Sequence, residues 1–137
     1  MKKSVVIIIG VIYALSIVFV TLFGLKHNSF NEIIYVSQVE IIEENASYSS
    51  NGTKYLMLTP DENGVCQYQL VWTVSPDNAT NSNVTFNYDK QKNYVSVDEN
   101  GLVTFTSQGA VIVTITAADG TSNSDTIQLI CYKANNK

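Results

Sequence analysis

Ser4 to Leu25 read SVVIIIGVIYALSIVFVTLFGL, a run of 22 residues without a single charge, and nothing else in the chain restricts its fold and address so strongly. As a helix the run extends about 33 Å at about 1.5 Å per residue, against a hydrocarbon core of about 30 Å. Lys2 and Lys3 precede it, while Lys26 and His27 follow. The positive excess at the start favours residues 1–3 as a cytoplasmic stub and everything after the run outside the cell. A cleaved signal peptide shares the basic start. Its apolar region, however, is usually about 7–15 residues long and ends at a small-x-small site, for which Thr21-Leu22-Phe23-Gly24 is a poor substitute. The expectation is a retained signal-anchor helix over 4–25, with secretion after cleavage as the alternative. With no Cys at the end of the run, lipid attachment is not expected. Gly10 and Ala14 lie four apart, a spacing that lets two membrane helices approach closely and so forms a candidate helix-dimer face; apolar helices also contain such pairs by chance.

The rest of the chain is long enough for one domain with a real core. Its charge excludes whole classes of function. All eight cations are Lys, and from His27 onward five Lys stand against twelve Asp and Glu. Nucleic-acid binding needs clustered basic charge for phosphate, so no nucleic-acid partner is expected. The only histidine, His27, abuts the apolar run, which removes the usual catalytic base. Paired catalytic acids need one raised pKa in a cleft, whereas the acids here sit in turns and tails. No enzyme, no cofactor and no metal are expected.

After a juxtamembrane linker over 26–31 the pattern becomes short alternating runs between Asn, Asp and Gly turns, as in half-buried antiparallel sheets. Strands are predicted at Glu32–Ile42, Lys54–Leu58, Val65–Val74, Val84–Tyr88, Tyr94–Val97, Leu102–Thr106, Ala110–Ala117 and Thr126–Tyr132. Glu43–Thr53 reads as a polar loop and 134–137 as a polar tail without a wall-sorting signal. Cys66, Tyr68, Leu70, Trp72 and Val74 share one face, which the apolar pattern turns inward; so do Val111, Val113, Ile115 and Ala117. Seven or eight strands at this spacing point to an all-β, two-sheet sandwich over 32–133, preceded by one transmembrane helix. Asn63-Gly64 and Asn100-Gly101 supply the positive φ of tight turns. Gly109 is placed where the chain switches sheets and a Cβ would clash.

Three motifs occur in order: Val74-Ser75-Pro76-Asp77-Asn78-Ala79-Thr80; Val95-Ser96-Val97-Asp98-Glu99-Asn100-Gly101-Leu102-Val103-Thr104; and Gly109-Ala110-Val111-Ile112-Val113-Thr114-Ile115-Thr116-Ala117. Together they resemble the bacterial immunoglobulin-like domain, group 2, over about Tyr55–Tyr132. That family repeats a Pro-x-Asn-Ala-Thr turn, a Val-Asp-x-x-Gly-x-Val turn and a Gly-led strand of small and apolar residues. This chain departs from the pattern in Phe86, where Trp is common, in the long Glu43–Thr53 insertion, and in its two cysteines. The resemblance implies an immunoglobulin-like fold and a surface role in adhesion, or in contact with carbohydrate or protein; many such domains are spacers.

In an immunoglobulin-like strand order the start of the second strand and the end of the last lie at one pole, so Cys66 and Cys131 are either a disulfide or two buried thiols. The duplicated Asp-Glu-Asn-Gly has oxygens that suit calcium, but neither copy continues into a calcium-loop spacing, and turn chemistry explains both. Trp72 is expected in the core and His27 at the headgroups. Four N-x-Ser/Thr sequences, at Asn45, Asn51, Asn78 and Asn83, match chance in an Asn-rich chain. The expectation is therefore a non-catalytic, membrane-anchored cell-surface protein meeting an unknown envelope protein or carbohydrate. The alternative is a structural or accessory subunit of a larger membrane assembly, recruited through its helix. In either case the lipid bilayer is a partner through 4–25, and no ligand-binding residue is named.

Overall fold

The computed structural model describes residues 2–24 and 31–133, which fall into two units, an N-terminal helix and a β domain from Ile33 onward. Leu25, the linker residues 26–30 with His27, and the tail 134–137 lie outside the described residues. The helix, α1 (Lys3–Gly24), buries none of its residues and is long and apolar enough to cross a membrane. Two of its hydroxyls are satisfied within the helix: Ser16 Oγ donates to Ile12 O at 2.8 Å and Thr21 Oγ1 to Ile17 O at 3.0 Å. Hydrocarbon offers a stray donor no partner, so this pairing suits a lipid environment.

The domain is built from β1 (Gln38–Ile41), β2 (Ser47–Tyr48), β3 (Lys54–Leu58), β4 (Cys66–Gln69), β5 (Trp72–Ser75), β6 (Val84–Asn87), β7 (Val95–Val97), β8 (Leu102–Phe105), β9 (Gly109–Ala117) and β10 (Ser124–Cys131). The larger sheet has the order β2-β3-β10-β9-β6; β4-β8-β7 and β1-β5 form two smaller ones. The inward faces meet in one core containing Val36, Ile41, Leu70, Val103, Phe105, Val111, Val113, Ile115, Ile127 and Leu129. Leu70, Val111, Val113 and Ile115 are positions that alternation places inside, because side chains along a strand point to opposite faces in turn; Val36, Ile41, Val103 and Phe105 join them from predicted strands to which no inward face is assigned.

The structure corrects the sequence reading in four places. The predicted Glu32–Ile42 strand shortens to β1, because before it the backbone of Ile34 pairs with Thr80 and that of Val36 with the Asp119 and Asn123 side chains rather than with a strand. The polar loop Glu43–Thr53 contains β2, which lies against β3. The predicted Val65–Val74 strand is interrupted between Gln69 and Trp72, where it changes neighbours: Leu70 N donates to Gly101 O at 3.0 Å, next to β8, and Val71 O accepts from Ile42 N at 2.8 Å, next to β1. Successive residues of an extended chain direct their backbone groups to opposite edges, so β8 and β1 flank this run on either side, and the opposing layer consists of two hydrogen-bonded sheets rather than one. Finally, β3 pairs with β10 in parallel, from Lys54 opposite Ile127 to Leu58 opposite Cys131, in a sheet otherwise antiparallel.

Candidate functional site

The outer surface of the larger sheet is where the fold displays side chains it does not need for packing. Register places Met57, Ile130 and Ala110 in one row, then Tyr55, Gln128 and Ile112, then Thr126, Thr114 and Asn87. Ile112 and Met57 are 51% and 62% exposed, large apolar groups at positions where strands with a solvated face carry polar ones. None of these residues is charged, in a domain rich in carboxylates. Thr114 and Thr126 join their hydroxyls at 3.0 Å. A shallow depression of about 440 Å³ opens beside them, lined by Asn87, Tyr88, Asp89, Lys92, Ile112 and Thr114. Lys92 Nζ, one of the lining groups, and the Tyr94 hydroxyl both donate to Ala110 O, at 2.9 and 3.0 Å. The hollow offers a polymer one aromatic ring, one aliphatic side chain, an amide and a hydroxyl, together with the Asp89 carboxylate and the Lys92 ammonium.

The ionisable groups that the fold does perturb serve the first strand. Asp125 Oδ2 accepts from Ile41 N at 2.8 Å and from Lys54 Nζ at 2.9 Å, and Lys54 Nζ also donates to Ile41 O at 2.9 Å. Half-burial works to raise the Asp125 pKa, but the hydrogen bonds from Ile41, Lys54 and Thr126 and the Lys54 charge outweigh it and hold the carboxyl below its ordinary range. Five residues upstream of Ile41, Asp119 Oδ2 accepts from Val36 N at 2.6 Å while Asn123 Nδ2 donates to Val36 O at 2.8 Å. The Thr121 hydroxyl and Val36 N lower the Asp119 carboxyl. At the end of β1, Glu43 accepts the Tyr68 hydroxyl. That bond, with help from Asn45 N, lowers Glu43; burial and then Glu43 push Tyr68 up. These carboxylates are structural clamps. Among the described residues no group of His, Cys, Asp or Glu is arranged to hold a metal ion.

The residues singled out in the sequence fall as follows. Cys66 opens β4, Cys131 ends β10, and the two form a disulfide with Cα atoms 6.0 Å apart, buried at one pole of the sandwich. Both Asp-Glu-Asn-Gly segments are the same turn: Asp61 Oδ1 accepts from Asn63 N and Val65 N, and Asp98 Oδ1 from Asn100 N and Leu102 N. Trp72 packs edge-on against Phe86, centroids 5.3 Å apart, at the border of the core. Gly10 and Ala14 lie about one turn apart on an exposed helix. The outer sheet face was not singled out from the sequence, although Met57 and Ile112, apolar on the polar side of their strands, were its signal.

The strand order, the two carboxylate-capped turns and the Gly-led β9 give the comparison with known families its geometric basis. Residues 63–127 match the family model for the bacterial Ig-like domain (group 2). Over that stretch the chain is similar to the bacterial Ig-like domains of this group. A similar curated protein, an uncharacterised protein of Clostridium acetobutylicum, is 30% identical over 100 residues, which cover 73% of this chain and 10% of that protein. The chain thus spans about a tenth of that relative's length. The matched region starts at Asn63, so β1 to β3 lie before it, while Asp119, Asn123 and Asp125, which clamp the first strand, lie inside it.

Proposed function

We propose that this protein is a non-catalytic, membrane-anchored surface module that binds an envelope polymer through the outer face of its larger sheet. The observation that carries the reading is the joining of an apolar helix of spanning length to an Ig-like domain whose broadest sheet face is uncharged and partly apolar. Lys2 and Lys3 ahead of the helix favour a cytoplasmic N-terminus and an exported domain. The disulfide fits an oxidising compartment. A neutral, hydroxyl-bearing wall polysaccharide suits the depression beside Ile112, where Tyr88 and Ile112 offer apolar contact and Asn87 and Thr114 offer hydrogen bonds.

Protease treatment of intact cells tests the orientation: residues 31–133 are digested while the helix is protected. Binding of the purified full chain to isolated wall polysaccharide tests the surface. Ile112→Asp weakens capture at least tenfold with unchanged thermal stability. Capture by a protein component of the envelope instead, through the same face, retains the module but changes its ligand class. Equal capture by the wild type and Ile112→Asp removes this face from consideration.

A further inference from the structure

The edges of the layers are treated unequally. The outer edge of β1 is closed by the side-chain clamps on Val36 and Ile41. β2 is two residues long and β7 three. Short edge strands and covered backbones are the usual protections against unwanted strand pairing. β6 has neither. It runs Val84–Asn87 without Pro, Lys or a bulge, in unbroken register with β9 from Val84 opposite Ala117 to Asn87 opposite Thr114. Ala118 N donates to Asn83 O at 2.9 Å, so the odd-numbered residues face β9 and the backbone groups of Val84 and Phe86 point away from it.

Beside this edge lies a groove of about 320 Å³, with Val84, Phe86, Tyr88 and Val97 in its wall. Lys90, in the loop after β6, and Asp98 and Glu99, in the turn after β7, line it too. That loop carries the chain from the end of β6 to the start of β7, so connectivity puts Lys90 and the two acids toward opposite ends of the groove. Lys54–Asp125 is the salt bridge among the described residues, so none of these three charges has an ion-pair partner there, although Asp98 Oδ1 also caps its own turn. An unpaired edge accepts an extended polypeptide, and the order of charges along the groove selects which one.

We propose that β6 is a homotypic docking edge, through which two copies of this chain pair β6 with β6 antiparallel about a two-fold axis. With Val84 opposite the partner's Phe86, the outward N–H and C=O groups of both residues are satisfied and Thr85 faces its own counterpart. Reversal of direction brings Lys90 of each copy to the Asp98 and Glu99 end of the other, so one charge gradient becomes two symmetric ion pairs. The larger sheets join edge to edge and leave the outer faces open, so the proposal stands whether or not that face binds a ligand.

The test uses the full chain in detergent micelles. Thr85→Cys forms a disulfide-linked dimer on mild oxidation, because facing residues of a non-hydrogen-bonded pair bring their Cα atoms to about 4.5 Å, within disulfide range. Val84→Pro, which removes one outward N–H at the first position of the strand, abolishes that cross-link. Lys90→Glu weakens dimerisation about tenfold in sedimentation, since the two-fold axis counts each exposed pair twice, and adding Glu99→Lys restores it. The charge-swap arm reads the interface without touching the fold. A Thr85→Cys protein that remains monomeric, with the Trp72 emission of the native fold, overturns the proposal. So does a dimer indifferent to Val84→Pro and Lys90→Glu but lost with Gly10→Ile.

Discussion

Gly101 and Gly109 are required for different reasons. Gly101 has φ +80°, and a Cβ there would meet the Trp72 ring at 2.9 Å and the Phe86 ring at 3.2 Å. Gly109 has no such backbone demand; a Cβ there would lie 2.4 Å from the Tyr94 ring. The clash expected at the sheet switch is therefore with one aromatic side chain, itself stacked on Phe105 and tied by its hydroxyl to Ala110 O. Gly101→Ala is expected to cost about 2–3 kcal/mol from left-handed strain plus overpacking, and Gly109→Ala about 1–3 kcal/mol from overpacking alone. Urea unfolding followed by the fluorescence of Trp72, the only tryptophan, measures both. Only Gly101→Ala, which presses on the indole, should also shift the native emission. Asp125→Ala leaves Ile41 N and the Lys54 ammonium without their acceptor and is expected to cost about 2 kcal/mol in the same assay.

At the scale of elements, β1 is held to the rest of the domain by ionised carboxylates as well as by its ladder with β5. The folded-state pKa values of Asp119, Asp125 and Glu43 all lie below their ordinary values. Between the folded and unfolded pKa values the unfolded chain binds more protons, so stability there rises with pH. The contribution is therefore fully present above about pH 5 and is lost as pH falls through about 4 toward the folded values. Thermal melts should show a declining midpoint over that acid window, and hydrogen exchange at the Val36 and Ile41 amides should gain more than exchange in β9. Elements with strong local signals were legible in advance. β3 has the predicted bounds, and β9 has its predicted inward face. The clamps were not, because Asp125 and Lys54 are 71 positions apart and only the parallel pairing of β3 with β10 brings them together. The change of neighbours at Leu70 and Val71 was equally hidden, as neither a Gly nor a Pro marks it. The outer face is half visible: alternation leaves Ile112 opposite the Val111 and Val113 side, but one apolar residue there does not by itself mark a surface.

Over the whole molecule, the Cys66–Cys131 disulfide closes a separation of 65 residues across the two layers. In the chain-entropy account such a closure contributes about 4 kcal/mol. The paired Cys66→Ala and Cys131→Ala protein should lose about that much in urea, while a reductant should act slowly on the native protein because both sulfurs are buried. The fold class was readable because alternation, turn chemistry and the apolar run all agree. The pairing of the cysteines was not decided by sequence; it required the positions of both strand ends.

The last strand, β10, lies at the interior of its sheet, with β3 on one side and β9 on the other. On the export proposed above, a chain that crosses in the order of its synthesis therefore delivers this keystone last. Until Ser124–Cys131 emerges, β3 has no neighbour but β2, β9 lacks one flank, and Cys66 has no mate. Such a chain stays threadable during translocation and locks in a single late event, so a nascent chain arrested anywhere before β10 is expected to be open to proteases.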